Sequence, residues 1–534
     1  MRARFLLMPC CAALLVAPVS GAQCITGTEV RETELVGVGS DYARLTELAD
    51  SSLVTPRLAR RLSNSMMTPC SIGPWDTKSR DRYVVHTGFG LVDGSFLAML
   101  NSAYPEDRNN GALWGGRGVS SIASGGVILK AGVLSIGALP ELTYQQNRPY
   151  EMLPPAVLGQ SAYSSGLYAG IDEPQRFGAK SYGDADWGQS YARLDIGRVA
   201  VGISHENLWW GPGISNAVLF TNTAPGFPHV FLNTRRALNV GIGKLTGEAI
   251  WGRLSESAYF DTIAANNHRL IVGALLSFEP GWVRGLFLGI GRTFVVPWDS
   301  VDARNLFPLG QPFWKRNVVT PDNPNGSNDD QRVSLMARYV LADSKFELYG
   351  EWAREDHSWN GSDFVQEPEH SAGHVIGLQK LFTPHATRWV RVYAEASNLQ
   401  LLRQNRPGVR TTSPFYIHAP QGHTQLGQLL GASIGPGGES EFFGVDIITR
   451  GGLVGWYLER VRRDEFAAIA IQAWSTVWPP RHDVTLSGGM RLTRSFGPLR
   501  LDADLGPSRR LNRNFIRTES QMRAQVRLTW VPPT

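Results

Sequence analysis

The chain has 534 residues, 43% of them hydrophobic, with 52 Lys and Arg against 47 Asp and Glu. No block of like charge stands out, which excludes a nucleic-acid footprint and gives only weak support for an anionic partner. The 16 Trp, 22 Phe, 15 Tyr and 57 Gly form a composition shared by large β-proteins and outer-membrane barrels.

In chain order, residues 1–22 read as a secretory signal peptide. Arg2 and Arg4 make a charged start, Phe5 to Val16 an apolar run, and Ser20-Gly21-Ala22 a small-residue cleavage site. The apolar run is too short for a membrane anchor. Removing it lowers the formal charge from +5 to +3, since it carries two Arg and no acid. Cys10 and Cys11 leave with it. Cys24 and Cys70 remain as an even pair in an oxidising compartment and are expected to form a disulfide. No Cys/His spacing suggests a zinc site, so neither a metal nor a cofactor is expected.

Residues 23–80 have a helical or irregular texture. Asp41 at an N-cap, followed by Tyr42, Leu45 and Leu48, predicts a short amphipathic helix. Thr55 to Leu62, with Pro56 at its first position, predicts a second.

From residue 81 to 534 the period changes to two. Lys345 to Trp352, Val390 to Ala396, Arg500 to Leu505 and Gln521 to Trp530 all alternate polar or charged with apolar residues. A strand shows alternate side chains to opposite faces, so one face is apolar and the other charged. Tight turn signals separate the runs at Lys130-Ala131-Gly132, Asp195 to Arg198, Glu279 to Trp282, Ala342-Asp343-Ser344 and Ser495 to Pro498. Longer polar loops lie between them, such as Asn317 to Gln331 and Ser358 to Ser371. Short turns alternating with long loops predict an all-β, up-and-down outer-membrane barrel of roughly 16–20 antiparallel strands. A soluble sandwich fits the alternation equally well. A propeller does not, because no repeat of about 40–50 residues is present. Barrels of this kind usually end on an aromatic residue. This chain has Trp530 and then Val531-Pro532-Pro533-Thr534.

One stretch is more specific. His205-Glu206-Asn207-Leu208-Trp209-Trp210-Gly211-Pro212-Gly213 leads through Ser215-Asn216 and Leu219 to Asn222-Thr223-Ala224-Pro225-Gly226-Phe227-Pro228. The segment from Ser204 to Arg236 resembles the central signature of the Wzi family of capsule assembly proteins. The resemblance covers nearly the whole mature chain in layout, and this one stretch in specific residues. It implies an outer-membrane barrel of about 18 strands with a small helical bundle at its periplasmic end. It also implies a lectin-like, non-enzymatic role: binding capsular or extracellular polysaccharide and supporting its attachment at the surface of a Gram-negative cell. The implied partners are that polysaccharide and outer-membrane lipid, with the protein a monomer.

Candidate polysaccharide contacts are Trp209, Trp210, Asn216, Asn222, Arg235 and Arg236. Trp lies well against the apolar face of a sugar, and Arg pairs with a carboxylate. The doublets Arg462-Arg463 and Arg509-Arg510 are further candidates near strand ends. Each residue also has a structural reading. Paired Trp can pack a turn or sit in an aromatic girdle, Asn serves turns, and Arg doublets are commonly solvated. The alternative function is a porin or substrate-specific channel, motivated by the charged inner face. A helix-borne zinc site is excluded at His205-Glu206, since position 209 is Trp, and no Gly-x-Ser-x-Gly elbow or phosphate loop is present. No carboxylate spacing singles out a glycosidase pair.

Overall fold

In a computed structural model, the described residues are 29–32, 38–51, 54–60, 82–85, 88–301, 303–307, 330–355, 361–366, 368–369, 371–400, 414–418, 421–464 and 481–530. The signal segment, Cys24 and Cys70 lie outside them.

Eighteen antiparallel strands close into one barrel. They are Gly88–Asn101, Gly118–Ala131, Leu134–Ala138 continued by Glu141–Gln145, Tyr182–Asp186 continued by Tyr191–Ile196, Val199–Ser204, His229–Thr234 continued by Leu238–Asn239, Gly243–Ser255, His268–Pro280, Leu286–Pro297, Asp330–Leu341, Phe346–Glu355, Ala372–His385, Arg388–Asn398, Glu439–Thr449, Gly452–Arg462, Val484–Phe496, Leu499–Arg513 and Arg517–Trp530. The last strand pairs with the first, from Trp530 opposite Gly94 to Arg523 opposite Asn101, so no edge is left open.

The two-residue period decides which face meets which solvent. Leu335, Leu348, Ile376, Phe443, Leu458 and Leu528 point outward and are exposed. Arg332, Arg338, Arg391 and Arg500 point into the barrel and are at most 1% exposed. A soluble sandwich would bury the apolar face and wet the charged one. The reverse arrangement is that of a wall facing lipid.

The two ends differ. All five hairpins legible in the sequence join strands at one end, together with those at 385–388 and 449–452. The long connections, including 102–117, 146–181, 205–228 and 399–438, leave the other end. Helix Val38–Ala49 sits at the short-turn end. Its Tyr42, Leu45 and Leu48 pack on Val340, Leu381, Trp389, Ile448 and Leu453 beside the turns. Its polar face reaches the wall: Arg44 pairs with Glu347, Glu47 with Arg338 at 2.9 Å, and Asp41 with Arg391 at 3.0 Å.

The expected second helix does not form over 55–60, its described part. The backbone bonds to another loop instead of to its own turns. The Arg60 N–H donates to the Trp209 carbonyl at 3.0 Å, and the Gly211 N–H donates to the Leu58 carbonyl at 2.8 Å. Residues 54–60 therefore run into the lumen, and Leu58 is buried there. Glu29–Glu32 also pairs with Arg82–Val85 as a two-stranded sheet, so the N-terminal part is not purely helical or irregular.

Candidate functional site

The signature leaves strand Val199–Ser204 and returns at His229–Thr234, but between them it folds into the lumen. Carboxylates on the wall hold it there. Glu395 accepts backbone N–H bonds from Ile214 at 2.5 Å, Ser215 at 3.1 Å and Asn216 at 2.8 Å, and a bond from the Tyr349 hydroxyl at 2.8 Å. Glu351 accepts the Val218 N–H at 3.1 Å, and Glu248 accepts the Trp210 indole N–H at 2.8 Å.

The motif's glycines allow the tight fold. A Cβ at Gly213 would stand 1.8 Å from the Asn216 carbonyl oxygen, and one at Gly226 would stand 1.7 Å from that of His205. Apolar residues then fill the lumen. Trp210 meets Phe220 edge-on at 5.0 Å, within a buried cluster that includes Leu219, Phe227, Ile250, Ile271, Phe287 and Leu430. A second cluster joins Val218 to Phe415, Tyr416 and Ala432 from the connection 399–438. The inner charges thus anchor folded loops that fill much of the lumen, beside a cavity of about 230 Å³ lined by Tyr457, Arg491, Asp504 and Arg523.

The sequence-predicted contacts separate in space. Trp209 and Trp210 are fully buried, with the Arg60 guanidinium 3.9 Å above the Trp209 ring. Asn216 is also buried. Its side-chain amide donates to Ser397 Oγ at 3.2 Å, and its oxygen accepts the Ser433 N–H at 3.2 Å. These three residues offer no surface to an external ligand. Asn222 donates to the Asn109 carbonyl at 2.8 Å and ties the plug to the 102–117 connection. Arg235 lies at the opposite, short-turn end, where it bonds the Gly197 carbonyl at 3.0 Å and reaches Asp195 at 3.2 Å. Arg236 follows it there, exposed. His205 approaches Asp186 at 3.4 Å, and Glu206 accepts from Ser204 Oγ at 2.9 Å. Among the described residues, no group of three or more His, Cys, Asp and Glu could hold a metal ion.

The concave surface at the long-loop end is a cleft of about 250 Å³ between the connections 102–117, 146–181 and 421–438. Tyr104, Trp114, Tyr150 and Tyr168 line it, with Gln175, Gln428 and Asn514 beside them. Arg463, Arg510 and Arg513 enter from strand ends. Arg510 pairs twice with Asp483, at 2.7 Å each, and lies 5.8 Å from the Tyr104 ring. Arg513 bonds Glu519 at 2.5 Å and lies 5.6 Å from the Tyr150 ring. The Tyr168 hydroxyl donates to Asp464 at 2.5 Å. Burial raises the Glu173 carboxyl to about 7, partly offset by Arg463, and raises Asp107 to about 6. Rings with adjacent forked cations and neutral amides can grip a sugar through its C–H faces and its oxygens.

Sequence reasoning missed this cleft because its rings come from distant loops with no shared spacing. The Arg doublets were the available signal. In two of the three doublets one member turns to the cleft, Arg463 and Arg510, while Arg462 pairs with Glu439 at 2.8 Å and Arg509 is exposed.

The family model for the capsule assembly protein Wzi matches residues 134–465. In structure the chain is similar to Wzi of Escherichia coli, an outer-membrane protein involved in group 1 capsule assembly and a carbohydrate-binding β-barrel. The TM-score is 0.59 at 12% identity, covering 95% of this chain and 100% of that one. OccAB2 of Acinetobacter baumannii matches with a TM-score of 0.41 at 12% identity, covering 82% and 97%. OccK7 of Pseudomonas aeruginosa matches with 0.38 at 11%, covering 83% and 99%. No curated protein matches the chain in sequence.

Proposed function

The chain belongs to the capsule assembly protein Wzi family, and from that premise we propose that it binds capsular or extracellular polysaccharide and supports its attachment at the cell surface. In this reading residues 1–22 direct export, the barrel from residue 81 onward sits in outer-membrane lipid as a monomer, and a Cys24–Cys70 disulfide staples the N-terminal part. The long loops face outward. The carrying observation is the aromatic and arginine-lined cleft on that loop face, supported from below by the loops folded into the lumen.

The plug also bears on the channel alternative. Loops pinned by Glu395, Glu351 and Glu248 occupy the space a solute would cross, so the purified protein should conduct poorly in planar bilayers. Trp209, Trp210 and Asn216 act by shaping the floor rather than by touching sugar. Deleting the gene and comparing cell-bound with shed polysaccharide tests the reading. The expected result is shedding, reversed by complementation. Unchanged attachment would refute it.

A further inference from the structure

The three arginines of the cleft are not equivalent. Arg510 and Arg513 each have a carboxylate, Asp483 and Glu519. Arg463 has none within ion-pair distance among the described residues. A guanidinium carries five N–H donors. Among the described residues Arg463 uses one, from Nη1 to the Ile434 carbonyl at 3.1 Å, and its buried Nε finds no acceptor there. Burial and the nearby Arg510 disfavour its charge more than Asp483, Glu173 and Glu106 favour it, so the arrangement is held at a cost.

Two of the acids around it are otherwise engaged. Asp464, next in sequence, accepts from the Tyr168 hydroxyl. Asp483 is taken by Arg510 and also accepts the Asn514 N–H at 2.8 Å. Glu173 makes no hydrogen bond with any described residue and is not within ion-pair distance of Arg463; burial raises its carboxyl to about 7, so it offsets the cation only in part. What the Arg463 fork lacks is a planar anion arriving from the cleft, whose lining includes the Tyr168 and Tyr150 rings to take an apolar ring face.

We propose that the cleft recognises an acidic polysaccharide, the carboxylate of a uronic-acid-type residue seating on the Arg463 guanidinium. This rests on the polysaccharide reading above and adds the charge class of the ligand. A phosphate or sulfate substituent would suit a cation too. The carboxylate is favoured because it matches the planar fork, and the test separates them.

The probe is the host cell's own surface polysaccharide, purified, before and after chemical reduction of its carboxyl groups to hydroxymethyl groups. Reduction leaves phosphate and sulfate in place. Binding is measured to the full-length protein in detergent, with the barrel fold checked by heat-modifiable migration on gels. Reduction should weaken wild-type binding roughly tenfold or more. R463Q should weaken binding of the native polymer by a similar factor and no longer distinguish the two forms. R463K, which keeps the charge but not the fork, should fall between them.

A merely structural role would make R463Q lose both forms alike, and that result overturns the proposal. Equal wild-type binding of native and reduced polymer also overturns it, while leaving polysaccharide binding intact. Failure of the wild type to bind either form overturns both readings.

Discussion

Glu395 offers the sharpest test of how the plug is held. Glu395→Ala removes the acceptor for three backbone N–H groups and one hydroxyl, at 2.5–3.1 Å, all buried except the half-buried Ser215 N–H. Leaving a buried donor unsatisfied costs about 1–3 kcal/mol, so the three buried ones put the penalty at roughly 3–9 kcal/mol. Water entering the vacated space brings the real value toward the lower end. The barrel wall does not need this contact, because its ladder bonds to both neighbouring strands remain. The loss therefore falls on segment 205–228 as local opening rather than on the whole fold. Even about 3 kcal/mol speeds amide exchange by roughly a hundredfold. Hydrogen exchange read by mass spectrometry on peptides covering 205–228 measures this directly, with bilayer conductance as a second readout. The expected outcome is fast exchange confined to that segment, together with a rise in conductance. Exchange within threefold of wild type in a folded barrel would refute carboxylate anchoring.

Trp210→Ala should cost about 3–5 kcal/mol, since it empties the centre of a buried cluster and leaves Glu248 without its indole donor; the temperature at which the folded band is lost on gels reports it. Glu347→Ala leaves the buried Arg44 without its carboxylate and Arg338 with Glu47 alone, a loss of about 3–5 kcal/mol that should loosen helix Val38–Ala49, read as faster proteolysis before residue 60 with an intact barrel. Polysaccharide binding should weaken as pH rises from 6 to 8. Glu173, at about 7, is neutral below that value and above it becomes a carboxylate offsetting Arg463. Asp172 adds to the rise, Asp107, at about 6, titrates at the lower edge of this window, and the other cleft charges are paired: Arg510 with Asp483, Arg513 with Glu519, Glu106 with Arg108 at 3.0 Å, and Asp464 beneath Tyr168. Glu173→Gln should give a flat profile, and an unchanged slope in that variant would remove Glu173 as the cause.

The barrel was legible from residue order because alternation and turn chemistry are local. Gln521 to Trp530 alternates as written and as folded, with Gln521, Arg523 and Thr529 buried and Met522, Leu528 and Trp530 exposed. The five hairpins fell where Gly, Pro and Asp placed them. The signature Trp209-Trp210-Gly211-Pro212-Gly213 identified the family from sequence alone. Its orientation was not local. Whether 205–228 reaches outward or folds inward depends on Glu248, Glu351 and Glu395, which lie roughly 40 to 180 positions away and face it only once the barrel closes.

The same closure explains the second helix that does not form. Thr55 to Leu62 carries a helical pattern, yet Leu58 and Arg60 gain partners in the plug that an isolated helix could not offer. It also turned the charged inner face, which suggested a pore, into a set of anchors and ion pairs. Period and turn residues determined the barrel, since each strand needs only its own alternation. The tertiary structure decided the plug and the cleft. Their contacts join segments distant in sequence, and a buried carboxylate or ring takes its meaning from what arrives opposite it.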